Sequence, residues 1–291
     1  MTATPVIDVN AYLGEWPFRP LRAVRRLREP TPGAVRRLQA LRRLLADAGI
    51  TRALVSPLAA IFRQECESAN AELARAVRRL RALRGHGEFF IPAPALNPAY
   101  PGWEDDLQAA LTAGGAPPAG APGVRLFPNY HAYSLADTAA RVAVAQAAAA
   151  GLAILISLRM QDERHHHPRM MVPAVPADEV TALARAVPQA RIIACMARYG
   201  EAESLLAAEN VWLDLSGVQG PVGCIDLLAE RFGAGRLLMG TGAPLQYPLP
   251  AVAKIHASEV PADARDGILG GNAAAVLGGP PPAGASRAKG G

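Results

Sequence analysis

The stretch VRLFPNYHAYSLADTAARVAVAQAAAAGLAILISL, residues 124–158, contains the pattern that decides the fold. A short apolar run at residues 124–127 is followed by an alanine-rich helical segment at residues 135–150. Gly151 ends that segment, and a continuous apolar run occupies residues 152–158. Two apolar runs joined by a helix predict parallel strands, because a parallel connection needs a long crossover that a helix usually provides.

The same alternation extends in both directions along the chain. We predict eight strands, at residues 5–13, 52–57, 89–96, 124–127, 152–158, 191–196, 211–215 and 236–240. Eight strands separated by helical sequence favour a closed (β/α)₈ barrel, the TIM barrel, over an open sheet. We therefore predict an α/β fold with a single barrel domain over residues 1–278. A disordered tail rich in Pro, Gly and Ala is predicted over residues 279–291.

Composition argues against several classes of protein. The net charge is +5, but the arginines of residues 22–43 and 75–84 have helical spacing and no aromatic residues among them. This pattern is typical of solvated helix faces, whereas a groove for nucleic acid needs interleaved aromatics. No apolar stretch is long enough to span a membrane, and the N-terminus does not resemble a secretory signal. The three cysteines lack CxxC spacing, so we expect reduced thiols and a cytoplasmic location. The partner that we expect is a small molecule, and a homo-oligomer is left open.

The loop after the fifth predicted strand is the richest candidate site. Chemistry in a barrel is carried by the loops at the carboxyl ends of the strands, and this loop reads RMQDERHHHP over residues 159–168. We expect Arg159 to pair with a substrate carboxylate in bidentate fashion. Asp162 or Glu163 is expected to move protons, and His167 to contact the substrate. The alternatives are a solvated loop with internal ion pairs, or a shifted metal site using two of the three histidines and one acid.

The fourth predicted strand carries a second group of polar side chains. Arg125 lies on that strand, and Tyr130 and His131 follow it. Loops of consecutive strands lie side by side in a barrel, so we predict that Tyr130 and His131 meet Glu163 over the mouth, with His131 as an acid or base. The alternative for His131 is a loop histidine bonded to backbone.

Aromatic and basic residues also follow the first predicted strand. Trp16 and Arg19 predict an aromatic wall and a cation, which suit a planar or acidic small molecule. The alternative for Trp16 is that it closes the rim of the barrel.

Several segments resemble, in the same order, those of a known family. The segments are residues 7–14, 123–126, 154–157, 191–195, 210–214, 237–244 and 268–274. The first looks like an opening strand with an acidic residue, the sixth like a closing Gly-Thr-Asp-x-Pro strand, and the last like a terminal Gly-x-Asn-Ala motif. Together they resemble the amidohydrolase-related family, whose members are TIM barrels with metal-dependent hydrolase activity.

The chain departs from this family where metal ligands are expected. The positions of the four ligand histidines and the metal-binding aspartate are held by Asn10, Tyr12, Ser157, Cys195 and Gly242. No lysine lies on a predicted strand, so the form with a carbamylated lysine is excluded as well. Catalytic zinc needs about three ligands from His, Cys or carboxylate. The resemblance therefore implies a barrel without the standard metal site, and a divalent metal such as zinc is expected only at a relocated one.

These observations lead to three functional hypotheses. The first is a hydrolase, or a related lyase, that acts on a small carboxylated molecule. The second is a non-catalytic barrel that binds a small molecule, and the third is a metalloenzyme with its site in the loops after the fourth and fifth strands. Whether the chain is an enzyme is left open. The residues expected around the pocket are Arg125, His131, Arg159 and Glu163, with Asn10 and Tyr12 on its floor.

Overall fold

The computed structural model describes residues 5–16, 33–83, 88–112, 122–162, 164, 166 and 171–278. Arg19, Glu163, His165 and His167, which the sequence singles out, lie outside the described residues. So does the tail predicted over residues 279–291.

Parallel strands form the centre of the molecule. Within the described residues they are β1 (Ile7–Leu13), β2 (Arg52–Pro57), β3 (Phe90–Pro92), β4 (Ala95–Leu96), β5 (Gly123–Leu126), β6 (Ala153–Ser157), β7 (Arg191–Cys195), β8 (Val211–Asp214) and β9 (Leu237–Leu238). Each pairs in parallel with the next strand, except across the break between β3 and β4. These two short segments together are the third predicted strand. Ala93 and Pro94 between them still bond to Val55 and Arg125 on either side, so they occupy one position of the barrel.

Hydrogen bonds between β1 and the segment that follows β9 close the barrel. The Tyr12 amide donates to the Ala243 carbonyl at 2.8 Å, and the Gly242 amide donates to the Asn10 carbonyl at 2.7 Å. Ala11 and Ala243 form a parallel bridge. The eight strand positions therefore form a closed cylinder, and the predicted TIM barrel is confirmed.

Helices cover the outside of the barrel. They are α1 (Ala34–Ala46), α2 (Glu67–Arg81), α3 (Trp103–Thr112), α4 (Pro128–His131), α5 (Thr138–Ala149), α6 (Ala177–Ala186), α7 (Ala202–Leu206), α8 (Cys224–Phe232), α9 (Pro248–His256), α10 (Ala262–Asp266) and α11 (Asn272–Gly278). In α1 the buried residues are Leu38, Leu41 and Leu45, a spacing of three and four that presents one apolar face to the strands. In α2 the arginines Arg75, Arg78 and Arg79 lie on the exposed side of the helix. None of the described helices is long and apolar enough to cross a membrane.

Inward side chains of the strands form two layers. The lower layer is apolar and includes Val9, Leu54, Leu155, Ile193 and Leu238. One pleat further along each strand, towards the carboxyl ends, the inward side chains become polar. Residues two apart on a strand point to the same face. Ser56 comes two residues after Leu54, and Ser157 two after Leu155, so both serines point inward like the leucines before them.

A β-bulge in β1 brings two further polar side chains into the barrel. The register of β1 against β2 shifts between Asp8 and Ala11. Before the shift Ile7 and Val9 pack in the apolar layer, and after it Asn10 and Tyr12 point inward. A bulge inserts one residue and so changes which side chains face inward. Without it Asn10 could not share the interior with Val9.

Candidate functional site

The polar layer is the set of inward residues at the carboxyl ends of the strands: Asn10, Tyr12, Ser56, Arg125, Ser157, Asp214 and Ser216. Arg125 of β5 lies at its centre and is fully buried. Its Nη1 atom donates to Asn10 Oδ1 and to the Tyr12 hydroxyl, both at 2.9 Å, and to the Ser157 hydroxyl at 3.0 Å. A single guanidinium nitrogen thus meets side chains from β1 and β6.

The rest of the Arg125 guanidinium is bonded to β2 and again to β1. Its Nε atom donates to the Ser56 hydroxyl at 2.8 Å, and its Nη2 atom donates to the Val9 carbonyl at 3.3 Å. The cation also lies over the Tyr12 ring, 4.8 Å from its centroid. Burial raises the pKa of the Tyr12 phenol above its ordinary value, although the charge of Arg125 opposes this shift. Tyr12 is therefore a neutral phenol at physiological pH.

Asn10 connects this cation to a buried carboxylate. While its Oδ1 atom accepts from Arg125, its Nδ2 atom donates to Asp214 Oδ2 at 2.8 Å and to the Ser216 hydroxyl at 3.0 Å. Asp214 ends β8 and also accepts from the amides of Ser216 and Met196 and from the Ser216 hydroxyl. Burial raises the pKa of Asp214, and these hydrogen bonds oppose the shift. Asn suits this position because an amide side chain accepts at one end and donates at the other.

A second buried carboxyl group links β1 to the segment after β9. Asp8 Oδ1 accepts from the amides of Asn10 and Thr241 at 2.8 and 3.0 Å, and Asp8 Oδ2 accepts from the Thr241 hydroxyl at 2.5 Å. Burial raises the pKa of Asp8 to about 6, although the hydrogen bond from Thr241 opposes the shift. Asp8 closes the barrel seam rather than facing the mouth.

The chemistry of the polar layer does not fit a divalent metal. Of the positions that the family resemblance marks as metal ligands, Asn10, Tyr12 and Ser157 present neutral oxygens that are bonded to a guanidinium. Burial raises the pKa of Cys195 to about 12, so it stays a thiol, and Gly242 has no side chain. Among the residues that the structure describes, no three His, Cys, Asp or Glu side chains are grouped so as to hold a metal ion. Zinc and similar ions need such ligands.

A two-lobed cavity lies above the polar layer at the mouth of the barrel. The arginine lobe has a volume of about 450 Å³ and is lined by Arg159, Asp162, Arg164, Met196, Arg198, Tyr199, Gly200, Gly217, Gln219, Gly220 and Gln246. The apolar lobe has a volume of about 420 Å³ and is lined by Trp16, Met160, Gln161, Asp162, Arg164, Gln219, Leu245, Gln246, Tyr247 and Pro250. The lobes share four lining residues, so they form one continuous mouth cavity.

Ion pairs order the arginine lobe. Arg159 is buried and donates to both carboxylate oxygens of Glu201 and, at 2.8 Å, to the Met196 carbonyl. Asp162 accepts from Arg164 at 2.8 Å and lies 3.7 Å from Arg198. Hydrogen bonds from Arg164 hold the pKa of Asp162 well below its ordinary value. The carboxylate partner of Arg159 is thus supplied by the chain itself.

Met196 and Gln246 lie between the mouth cavity and the polar layer. Both line the arginine lobe, and the Gln246 amide nitrogen lies 3.6 Å from the Met196 sulfur. The same sulfur accepts from the Ser216 hydroxyl at 3.2 Å. The backbone of Met196 has a φ of 61°, an uncommon conformation for this residue type that often accompanies functional sites. The cavity is therefore separated from the polar layer by one layer of side chains.

Aromatic residues form the wall of the apolar lobe. Trp16 is buried and packs on Phe62 and Tyr130, with ring centroids at 5.6 and 6.4 Å. Trp16 also belongs to an apolar cluster with Tyr12 and Met160. Trp16 therefore lines the cavity and also packs at the rim of the barrel.

The predicted site residues that the structure describes do not lie together in one site. Asn10, Tyr12 and Arg125 lie in the polar layer, and Trp16, Arg159 and Asp162 line the mouth cavity, while Tyr130 packs behind Trp16. His131 is buried elsewhere, with Nε2 at 2.9 Å from the Ala60 carbonyl, and burial lowers its pKa. Glu163, which His131 was expected to approach, lies outside the described residues.

Sequence reasoning missed several residues that shape the site, namely Ser56, Met196, Arg198, Glu201, Asp214, Ser216 and Gln246. Asp214 carries a usable signal, because it ends a predicted strand and functional side chains of a barrel lie at such ends. Ser56 carries the same weak signal near the end of β2. Glu201 carries none, since it meets Arg159 across 42 residues of sequence.

Solved structures with the same fold include decarboxylases and an amidohydrolase. A dihydroxybenzoic acid decarboxylase from Polaromonas sp. JS666, solved with bound manganese and an inhibitor, is 15% identical, with a TM-score of 0.68 over 94% of this chain and 97% of that chain. The 5-carboxyvanillate decarboxylase from Sphingomonas paucimobilis is 15% identical, with a TM-score of 0.65 over 94% and 99%. An amidohydrolase from Mycobacterium avium subsp. paratuberculosis is 16% identical, with a TM-score of 0.56 over 83% and 73%.

These likenesses define the class of protein by its fold. The chain is a TIM barrel built like those of amidohydrolases and the decarboxylases similar to them, as the resemblance of its strand segments implied. A scan against protein-family models found no match, and a search of curated proteins found none either. At these low identities the likeness extends to the fold and not to the reaction.

Proposed function

We propose that this protein binds a small carboxylated molecule in the mouth cavity, without the help of a divalent metal. The observation that supports this most directly is the charge of the arginine lobe. Of its described lining residues, Arg159, Arg164 and Arg198 are cations and Asp162 is the anion. Adding Glu201 behind Arg159 leaves three cations against two carboxylates, a balance that favours an anionic ligand.

The two lobes suit the two ends of such a ligand. The guanidinium groups offer hydrogen-bond donors, and the half-buried glycines Gly217 and Gly220 leave space for a carboxylate. Trp16, Met160 and Leu245 of the apolar lobe offer apolar area for the body of the ligand. Small-molecule sites usually combine such an apolar wall with a few polar groups that fix orientation.

Turnover of the bound carboxylate is the second candidate function. The mouth cavity lies at the carboxyl ends of the strands, where barrel enzymes have their active sites. The similar fold of decarboxylases for aromatic carboxylates supports a lyase or hydrolase reaction on this ligand class. Such a reaction would proceed without the metal chemistry of the barrel core.

Titration calorimetry with paired ligands tests the proposal. We expect at least one of benzoate, phenylacetate and hexanoate to bind, and its neutral amide to bind at least tenfold more weakly. Arg198→Met should weaken carboxylate binding about tenfold, the effect of a lost charged hydrogen bond. Asp162→Asn should strengthen it, because Asp162 competes for Arg164 and Arg198.

The matched controls are Arg52→Met and Asp47→Asn, since both residues are exposed at the opposite end of the barrel. Neither should change binding. Equal affinity for an acid and its amide, or no binding of any acid at millimolar concentration, would contradict the proposal. Release of carbon dioxide or another product during incubation would identify the protein as an enzyme.

A further inference from the structure

We propose that the polar layer is a guanidinium site: strands from across the barrel supply neutral oxygens that fit a guanidinium and reject a divalent metal, and Arg125 fills the site permanently. This inference concerns the barrel core and is independent of what binds at the mouth.

The acceptors surround all three nitrogen atoms of the Arg125 guanidinium: Nε and Nη2 each have one, and the two N–H groups of Nη1 share three. A guanidinium carries five N–H groups in one plane and no acceptor. Within the described residues, Arg125 donates to five oxygen atoms, at distances between 2.8 and 3.3 Å. These are hydrogen-bond lengths, whereas zinc and magnesium bind oxygen at about 2.0–2.2 Å. The oxygens are therefore placed to surround the three nitrogen atoms of a guanidinium rather than a single ion.

The charge of the acceptors also favours a guanidinium over a divalent metal ion. All five are hydroxyl, amide or backbone carbonyl oxygens, contributed by β1, β2 and β6. In the described part of the chain Arg125 is hydrogen-bonded to no carboxylate, and the nearby Asp214 is reached through the amide of Asn10. Neutral oxygens that each accept from a donor suit a weakly hydrated planar cation. They do not replace the imidazole and carboxylate ligands of a transition metal.

The site ties β5 to its neighbour β6 and also to β1 and β2, which do not pair with it. Arg125 belongs to β5, and its partners on β1, β2 and β6 surround the barrel axis. Removing the guanidinium would leave several buried oxygens without their donor, which is strongly destabilising in a fully buried position. The cation is thus a cross-link of the barrel as well as its central charge.

Chemical rescue provides the test. In Arg125→Ala the cavity should accept a free guanidinium whose alkyl group replaces the missing side chain. We expect the variant to melt at least about 5 °C below wild type. Ethylguanidinium at 10 mM should recover a large part of this loss, while ethylammonium, zinc chloride and manganese chloride should not. The control is Arg141→Ala, an exposed residue of α5, which ethylguanidinium should leave unchanged.

Two further variants decide the matter if Arg125→Ala does not fold. Arg125→Lys keeps the charge but offers fewer donors, and Arg125→Met keeps the length without charge. We expect the melting temperatures to fall in the order wild type, Lys variant, Met variant. A Met variant as stable as wild type would overturn the proposal, and so would stabilisation of the Ala variant by zinc or manganese equal to that by ethylguanidinium.

Discussion

Asn10 shows how one side chain can join two buried charges of opposite sign. Its amide oxygen faces the Arg125 guanidinium and its amide nitrogen faces the Asp214 carboxylate. An alanine would take one hydrogen-bond partner from each charge in the protein interior, where every lost partner of a buried charge is costly. The single amide therefore allows a cation and an anion to share the barrel interior without touching.

At the same scale, Asp8 should make stability depend on pH. Burial raises its pKa from 3.8 to about 6 in the folded protein, so the folded state holds the proton more tightly than the unfolded state. This contribution is complete below about pH 4 and is lost as the pH rises through about 6. Relative to Asp8→Asn, the free energy of unfolding of the wild type should fall across this window by on the order of 3 kcal/mol.

Urea unfolding of both proteins at a series of pH values between 4 and 7 measures this difference. Comparison with the Asn variant cancels the titration of all other groups. The exposed residue Asp47 provides the control, because Asp47→Asn should leave a constant difference from wild type. A constant difference for Asp8→Asn as well would show that Asp8 has an ordinary pKa.

At the scale of the element, the segment after β9 must approach the polar layer closely. A Cβ atom built on Gly240 would lie 2.0 Å from an oxygen of Asp214 and 3.1 Å from the Cβ of Asn10. Asp214 is fully buried and held by several donors, so it cannot move away without losing them. Glycine is therefore required at this position for space.

Gly240→Ala should accordingly destabilise the protein by about 1–3 kcal/mol, the usual effect of overpacking a tight core. Gly235→Ala is the matched control, since nothing lies within 4 Å of its Cβ position. Chemical denaturation of both variants gives the comparison. A similar small effect at the two positions would mean that Asp214 yields easily and that the polar layer is loosely held.

The elements also show what a sequence can and cannot predict here. Apolar runs such as residues 152–158 predict their strands well, because a strand buried on both faces is apolar along its whole length. The bulge that turns both Val9 and Asn10 inward leaves no such pattern, since it depends on pairing with β2. The partnership of Arg159 with Glu201 is equally hidden, because distant segments meet only after the barrel closes.

At the scale of the whole molecule, the barrel is complete within the described residues up to Gly278. β1 and the segment after β9 close its seam. The helix α11 packs against β1 and β9. Deletion of residues 279–291 should therefore change the melting temperature by less than about 2 °C, because the strands and the closed seam lie within residues 5–278. Thermal unfolding of the full chain and the shortened chain compares them directly, and a clear drop would show that the tail contributes to the barrel.

Because Arg125 supplies the charge at the centre of the barrel, the folding of this core contrasts with that of a barrel that needs a metal ion. A barrel that depends on a metal ion matures only after the ion has been delivered, so its yield depends on nutrient supply, transport and competition among similar ions. Here the central charge belongs to the Arg125 side chain, so every copy of the polypeptide already contains it. On the proposal that Arg125 fills this site, a chelator in the medium should leave the maturation of the core unchanged.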